Sequence, residues 1–141
     1  MLCLAPLLLL GYAHTIETSW HHSASLSGAY VEVQTCKDGL GARVAFSSDW
    51  VQLGPQFGYT WMLGDDWSMT AQAHGGIGYS NTFHPLTDVR QVTKWNGGIG
   101  LLLNVDRYSL KIGYDHMSNG RGYAPTNAGQ DMWTIGVGLS F

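Results

Sequence analysis

The sequence predicts an all-β protein, an eight-stranded antiparallel transmembrane β-barrel. Apolar and polar side chains alternate along segments of about ten residues, as expected for strands with one lipid-facing side. Only 12% of the residues are charged, while glycine (19 residues) and aromatic residues are abundant. Soluble domains carry about 25% charged residues. No internal apolar run reaches the about 18 residues that a helical membrane span needs. These observations favour a membrane protein built from strands.

The chain of 141 residues is long enough for one domain. Residues 1–13 are predicted to be a signal peptide, because the short apolar stretch Leu2–Leu10 precedes a small-x-small cleavage motif. The departure from the usual pattern is that no Lys or Arg precedes the apolar stretch. Residues 14–141 then form the barrel domain. Cleavage would remove Cys3 and leave Cys36 as the only thiol, so no disulfide is expected.

The first four predicted strands are Thr15–His22, Ala29–Cys36, Leu40–Ser48 and Val51–Leu63. The second and third are joined by a short turn that contains Asp38-Gly39, a pair typical of tight hairpins. The fourth alternates most clearly, with large apolar side chains on one side and glycine, Gln and Thr on the other. The first alternates least clearly, because Thr and Ser dilute its apolar side.

The last four predicted strands are Trp67–Ser80, Thr93–Val105, Tyr108–Ser118 and Asp131–Phe141. Short connections alternate with long ones, among them the loop Asn81–Val92 and the polar loop before the last strand. The connection at Asp49-Trp50 is the exception to this alternation, because it is short where a long connection is expected. Outer-membrane barrels place short turns on the periplasmic side and long loops outside, and an even strand number brings both termini to the periplasmic side.

One side of the predicted strands is almost purely apolar and is expected to face lipid. The other side mixes small and polar residues with a few charged ones: Glu17, Glu32, Arg43, Lys94, Lys111 and Asp115. Eight strands leave an interior that side chains fill, so no open channel is expected. The charged residues are expected to pair across this interior, because buried ions need partners.

Three polar residues interrupt the apolar side where the last two strands meet the polar loop. They are His116, Ser118 and Asp131. His116 and Ser118 are two residues apart, so their side chains stand side by side on one face. Together the three are the components of a base-activated hydroxyl nucleophile. Polar residues are also ordinary at strand ends where lipid gives way to water, and the residues alone leave both interpretations open.

The run Tyr114–Asn119, followed by a polar loop, an acid and a final strand ending in Phe141, resembles the outer-membrane lipid A 3-O-deacylase family. That family consists of eight-stranded barrels that remove the ester-linked 3-hydroxyacyl chain from lipid A of lipopolysaccharide. The resemblance implies that Ser118 is the nucleophile and His116 the general base. The family has a glutamate in the third position. Here Asp131 is available, with Gln130 beside it, so the resemblance leaves open which of the two takes this role.

Four residues of the last loop are further candidates for binding the substrate. The resemblance implies that Asn119 and Asn127 donate hydrogen bonds to the oxyanion of the tetrahedral intermediate. Both are equally well explained as turn residues. Arg121 and Tyr123 are candidates for contacts with lipid A phosphates or sugars, or are solvated loop residues.

The resemblance also implies a lipopolysaccharide substrate, contact with outer-membrane lipids, the outer membrane of a Gram-negative cell as location, and no cofactor. The net charge of −3 gives no support for a nucleic-acid partner. No metal site is expected, because His21, His22 and His74 lack ligand spacing. A homodimer is left open. Two alternatives remain: a structural or adhesive barrel whose loops bind a partner, and a phospholipase or acyltransferase.

Overall fold

A computed structural model gives a closed antiparallel β-barrel. The structure describes residues 6–16, 27–80, 82–83, 90–91, 95–118 and 130–141, with the backbone alone described for residues 80, 82–83, 90–91, 118 and 130. The strands of this described part are β1 Leu7–Ile16, β2 Gly28–Gln34, β3 Gly39–Phe46, β4 Trp50–Met62, β5 Trp67–Ser80, β6 Thr82–Phe83, β7 Arg90–Gln91, β8 Trp95–Val105, β9 Tyr108–Ser118 and β10 Gln130–Ser140.

Eight of these strands close the barrel in the order β1-β10-β9-β8-β5-β4-β3-β2. The short strands β6 and β7 pair with each other in a separate sheet, within the segment predicted as the loop Asn81–Val92. Each described pair of neighbouring strands is antiparallel. The predicted fold class is therefore confirmed. Among the described residues, no helix is long and apolar enough to cross a membrane.

Strand positions agree with the sequence prediction except at the beginning of the chain. The strands Trp67–Ser80 and Tyr108–Ser118 have the predicted bounds, and most of the others differ by one or two residues at each end. The predicted first strand, Thr15–His22, begins eight residues too late, and residues 17–22 lie outside the described part of the chain. The first strand is Leu7–Ile16, which pairs with β10 on one side and β2 on the other and so closes the barrel.

The difference between the predicted and observed positions of β1 has a physical reason. Leu7 and Leu9 point inward and form a small apolar cluster with Leu102, so the strand is apolar on both sides there and loses its alternation. A continuous run of leucines also matches a signal peptide. Residues 7–13 lie in the barrel wall. Cleavage of a signal peptide after Ala13 stays a prediction, and determining the N-terminal sequence of the mature protein tests it.

Cys36 differs from its predicted state. It is buried and disulfide-bonded, so the prediction of a single free thiol is wrong. That prediction depended on losing Cys3 with the signal peptide. Cys3 itself lies outside the described residues.

The two ends of the barrel differ in their connections. At one end, tight turns at residues 35–38, 63–66 and 106–107 join the strands. At the predicted hairpin, Gly39 has a φ of +79°, a conformation that glycine adopts without strain. The opposite end, which we call the loop end, carries the long segments between β1 and β2, between β5 and β8, and between β9 and β10.

Charged side chains pair inside the barrel, as predicted. The Lys111 ammonium donates to both Glu32 carboxylate oxygens at 2.6 and 2.9 Å, and the Arg43 Nε donates to Glu32 at 2.7 Å. Asp115 contacts the His74 ring at 2.5 Å and lies 3.9 Å from Arg43. These side chains are almost completely buried, so each ion has a partner in place of water. Glu17 and Lys94 lie outside the described residues.

The outer wall is apolar around most of its circumference. Aliphatic side chains such as Leu10, Ile112, Ile135 and Val137 form its middle band. Exposed aromatic residues lie toward both ends: Tyr59, Trp67 and Tyr108 near the tight turns, and Tyr79, Trp95 and Trp133 toward the loop end. Such aromatic girdles mark the two membrane–water interfaces of outer-membrane barrels.

Candidate active site

His116 and Asp131 form a close pair on adjacent strands at the loop end. The register of β9 and β10 places the two residues directly opposite each other. The His116 Nδ1 lies 2.6 Å from an Asp131 carboxylate oxygen, a short hydrogen-bond distance. The structure therefore brings together two of the three residues that the sequence singled out. Asp131 is the residue that contacts His116, while Gln130 lies opposite Met117.

This contact determines which ring nitrogen of His116 is available for chemistry. A carboxylate accepts a hydrogen bond, so Nδ1 carries the proton in the neutral ring. Nε2 is then an acceptor that can take a proton from a hydroxyl group. The carboxylate also fixes the ring orientation and stabilises the imidazolium that forms after proton transfer. The pair thus has the chemistry of an oriented general base.

The pair faces outward, on the lipid-facing wall. The His116 side chain is 50% exposed and the Asp131 side chain 26% exposed. Lys111, Asp115 and Met117 on the same strand point into the barrel, as strand alternation requires. On the side of β8, His116 faces Gly97, so no side chain from that position covers the imidazole. The ring is accessible from the membrane side.

Tyr114 is a residue of this site that the sequence analysis did not single out. Tyr114 precedes His116 by two residues and therefore lies on the same face. Its position is diagonal to Asp131 across the two strands, a separation that an aromatic side chain can span. The signal was present in the alternation of β9, but an outward tyrosine also fits an aromatic girdle.

Trp133 completes the outward patch around the pair. Its ring packs edge-to-face against Tyr114 with the ring centroids 5.4 Å apart. Tyr114 and Trp133 are opposite each other in the register, as His116 and Asp131 are. Four neighbouring positions on two strands thus carry one polar contact and one aromatic contact, which restrict the rotamers of these side chains.

Ser118 is the last residue of β9. Its backbone pairs with Trp95 of β8. Its side chain lies outside what the structure describes, and its role as nucleophile stays a prediction.

The substrate-binding predictions fall on the segment between β9 and β10. Asn119, Arg121, Tyr123 and Asn127 lie outside the described residues, as do His21 and His22. His74 points inward and contacts Asp115, so its ring belongs to the interior ion network. In the described part of the chain, no three metal-binding side chains come together.

Comparison with solved structures identifies the same architecture in other proteins. Ail, the attachment invasion locus protein of Yersinia pestis, superposes with a TM-score of 0.52 at 13% identity, covering 97% of this chain and 98% of Ail. Neisserial surface protein A gives 0.53 at 14% identity, covering 97% and 96% of the two chains. A de novo designed transmembrane β-barrel gives 0.55 at 13% identity, covering 99% and 97%. The chain has the fold of eight-stranded outer-membrane barrels.

No protein-family model and no curated protein sequence matches the chain. At identities of 13–14%, the likeness to solved structures concerns the fold alone. Function has to be argued from the residues of the site.

Proposed function

We propose that the protein is an outer-membrane serine esterase that hydrolyses the 3-O-linked acyl chain of lipid A, with Ser118 as nucleophile, His116 as general base and Asp131 as the orienting acid. The observation that carries this proposal is the 2.6 Å contact between His116 and Asp131 on the outward wall. The resemblance of the run Tyr114–Asn119 to the lipid A deacylase motif supplies the nucleophile and the substrate class.

The location of the pair supports a functional role. A carboxylate on the lipid-facing side of a barrel is unfavourable, and polar groups at such positions are retained where they serve a function. The barrel does not need this pair to satisfy its interior charges, because Glu32 and Asp115 already pair with Lys111, Arg43 and His74. The need to balance interior charges therefore does not explain the His116–Asp131 pair.

The proposed reaction follows the chemistry of a serine esterase. His116 Nε2 accepts the Ser118 hydroxyl proton while the Ser118 oxygen attacks the ester carbonyl carbon. The tetrahedral intermediate collapses when the sugar oxygen leaves with the proton from His116, and an acyl-enzyme remains. Water then attacks the acyl-enzyme with His116 again as base, which releases the 3-hydroxy fatty acid and restores Ser118. No metal takes part in these steps.

The position of the site suits an ester of a membrane lipid. The loop-end aromatic residues Trp95 and Trp133 flank the pair and mark the interface between acyl chains and headgroups. In lipid A the ester bonds lie where the acyl chains join the sugars. A nucleophile activated by His116 at this depth meets that bond without extracting the lipid from the membrane.

Mass spectrometry of lipid A tests the proposal. The wild-type protein, refolded into detergent micelles and incubated with lipopolysaccharide, is expected to release one 3-hydroxy fatty acid per lipid A. Ser118→Ala is expected to fold equally well and to leave lipid A intact. Activity that survives Ser118→Ala removes Ser118 as nucleophile, and release of acyl chains from phospholipid instead would identify a phospholipase.

An adhesive barrel is the second candidate function. The fold likeness to Ail, which is named as an attachment invasion locus protein and has been solved with the heparin analogue sucrose octasulfate, favours it. An adhesive barrel would keep its full function after His116→Ala and would lose it when the segment Asn81–Val92 is replaced. A protein that binds cells but leaves lipopolysaccharide unchanged would support this candidate.

A further inference from the structure

Gly97 lies beside the His116–Asp131 pair on the outer wall of the barrel. It is directly opposite His116 in the register, on the side of β9 that is away from Asp131. His116 points outward, so the position opposite it does as well. A side chain at position 97 would have its Cβ about 5 Å from the His116 Cβ. Gly97 therefore leaves this flank of the imidazole open.

Neither the backbone nor the packing of the wall requires a glycine at position 97. Gly97 is not among the glycines with positive φ, so its backbone conformation suits other residues. A Cβ there would meet no described atom closer than the His74 carbonyl oxygen at 3.6 Å, an ordinary contact. At the neighbouring Gly98, by contrast, a Cβ would lie 2.5 Å from the Tyr114 carbonyl oxygen. Packing thus explains the glycine at position 98 and leaves the one at position 97 unexplained.

Two large apolar side chains border the space over Gly97. Trp95 and Ile99 are both more than half exposed, and each lies two residues from Gly97 on the same outward face of β8. Their Cα atoms are about 13 Å apart along the strand, and Gly97 places no side chain between them. We call this space, bordered by Trp95, Gly97, Ile99 and His116, the Gly97 gap. It opens onto the imidazole at one end and onto lipid on its outer side.

The orientation of the imidazole turns its free nitrogen away from Asp131. Nδ1 lies 2.6 Å from the Asp131 carboxylate on β10, and Nε2 is on the opposite side of the ring. The strand on that side of β9 is β8, which carries the Gly97 gap. An ester that exchanges a proton with Nε2 therefore has its nearest carbon atoms next to this gap.

We infer that the Gly97 gap is the acyl subsite of the proposed esterase and holds the first methylene groups of the fatty acyl chain, next to the ester carbonyl. The ligand class is a hydrocarbon chain, because Trp95 and Ile99 offer apolar surface on both sides of the gap. This inference rests on the proposed function for its catalytic consequence. Occupation of the gap by an acyl chain is a binding property, which is measured without turnover.

Ester hydrolysis by Gly97→Val tests the catalytic consequence. Valine places an isopropyl group in the gap, and β-branched residues are favourable in strands. The probes are 4-nitrophenyl tetradecanoate and 4-nitrophenyl acetate. The ratio of kcat/KM for the long ester to that for the short ester is expected to fall about fiftyfold, the contribution of about three methylene groups that lose their binding site. Gly97→Ala is expected to lower the ratio about fourfold, by one methylene group.

Ala71→Leu is the matched control for added bulk on the wall. It also adds an isopropyl group at an exposed position, on β5 and away from His116. The ratio is expected to stay at its wild-type value in this variant. Gel mobility of heated and unheated samples verifies that each variant is folded. An unchanged ratio in folded Gly97→Val and Gly97→Ala, or an equal fall in Ala71→Leu, overturns the inference.

Photolabelling measures occupation of the gap without turnover. The probe is tetradecanoic acid with a diazirine beside its carboxylate, added to the protein in phosphatidylcholine nanodiscs. Mass spectrometry is expected to find about tenfold more label on Trp95 and Ile99 than on Phe57, an exposed residue of the wall on β4, as two bound methylene groups would give. This preference is expected to disappear in Gly97→Val and to remain in Ala71→Leu.

The two measurements separate the inference from the proposed function. Equal labelling of Trp95, Ile99 and Phe57 in the wild-type protein overturns the inference, even if lipopolysaccharide is deacylated. Preferential labelling in a protein that hydrolyses neither probe ester nor lipopolysaccharide overturns the proposed function alone.

Discussion

Glu32 is the residue on which the interior of the barrel depends most. It accepts two hydrogen bonds from the Lys111 ammonium, at 2.6 and 2.9 Å, and one from Arg43 at 2.7 Å. All three side chains are at most 3% exposed. Glu32→Gln keeps the size of the side chain but removes the negative charge between two buried cations.

The expected cost follows from the partners that remain. Arg43 keeps its hydrogen bond to Gln52 at 2.8 Å and lies 3.9 Å from Asp115. Lys111 loses the anion that its ammonium contacts at two oxygens. Removing one partner of a buried ion pair costs about 3–5 kcal/mol because the other charge stays buried. We expect Glu32→Gln to lower the free energy of unfolding by this amount.

Urea titration in lipid vesicles measures this change through the fluorescence of the tryptophans. Asp66→Asn serves as control, because it removes the same charge from an exposed turn. A surface substitution of this kind is expected to change stability by about 0.5 kcal/mol or less. Combining Glu32→Gln with Lys111→Met is expected to recover at least about 1 kcal/mol, since the unpaired ammonium is removed.

A loss below about 1 kcal/mol in Glu32→Gln would refute the reasoning. Such a result would mean that water already screens these charges, and that the interior is not the dry ion network that the contacts describe. No recovery in the double variant would show that Lys111 does not depend on Glu32.

Two further predictions concern the site and the barrel wall. Asp131→Asn is expected to fold normally but to lower the deacylation rate by about 10³–10⁴, as in serine triads whose carboxylate becomes an amide. The reason is that the amide favours the wrong His116 tautomer. A loss below about tenfold in fatty-acid release would remove Asp131 from the orienting role. Gly54→Ala is expected to impair folding, because its Cβ would overlap the Gly75 carbonyl and lie 2.7 Å from the Gly76 Cα. Gly75→Ala should fold normally, because its nearest described neighbour is an oxygen at 3.7 Å. Comparing heated and unheated samples by gel mobility measures the folded fraction, and equal folding of both variants contradicts the packing argument.

Much of the barrel was predictable because lipid and a filled interior impose the same alternation on every strand. That constraint acts on each strand separately, so β5 and β9 were located with their full bounds. It also identified the outward positions of His116 and Asp131, since polar residues on the lipid-facing side interrupt an otherwise apolar pattern. Their direct contact required the register as well.

The first strand was missed because alternation fails where both sides are apolar. Leu7 and Leu9 pack inward against Leu102, a residue about 90 positions later in the sequence. Nothing near Leu7 in the sequence shows that partner. Tyr114 was missed for a similar reason, because its contact with Trp133 exists only once β10 pairs with β9.

The sequence by itself determined the fold class, the number of strands in the barrel and the side of the wall on which the candidate site lies, because period-two patterning is a local property of the chain. The tertiary structure decided which strand closes the barrel, how Glu32 is shared between Lys111 and Arg43, and that His116 meets Asp131 at 2.6 Å. These depend on register, which is set by pairing between strands that are distant in sequence.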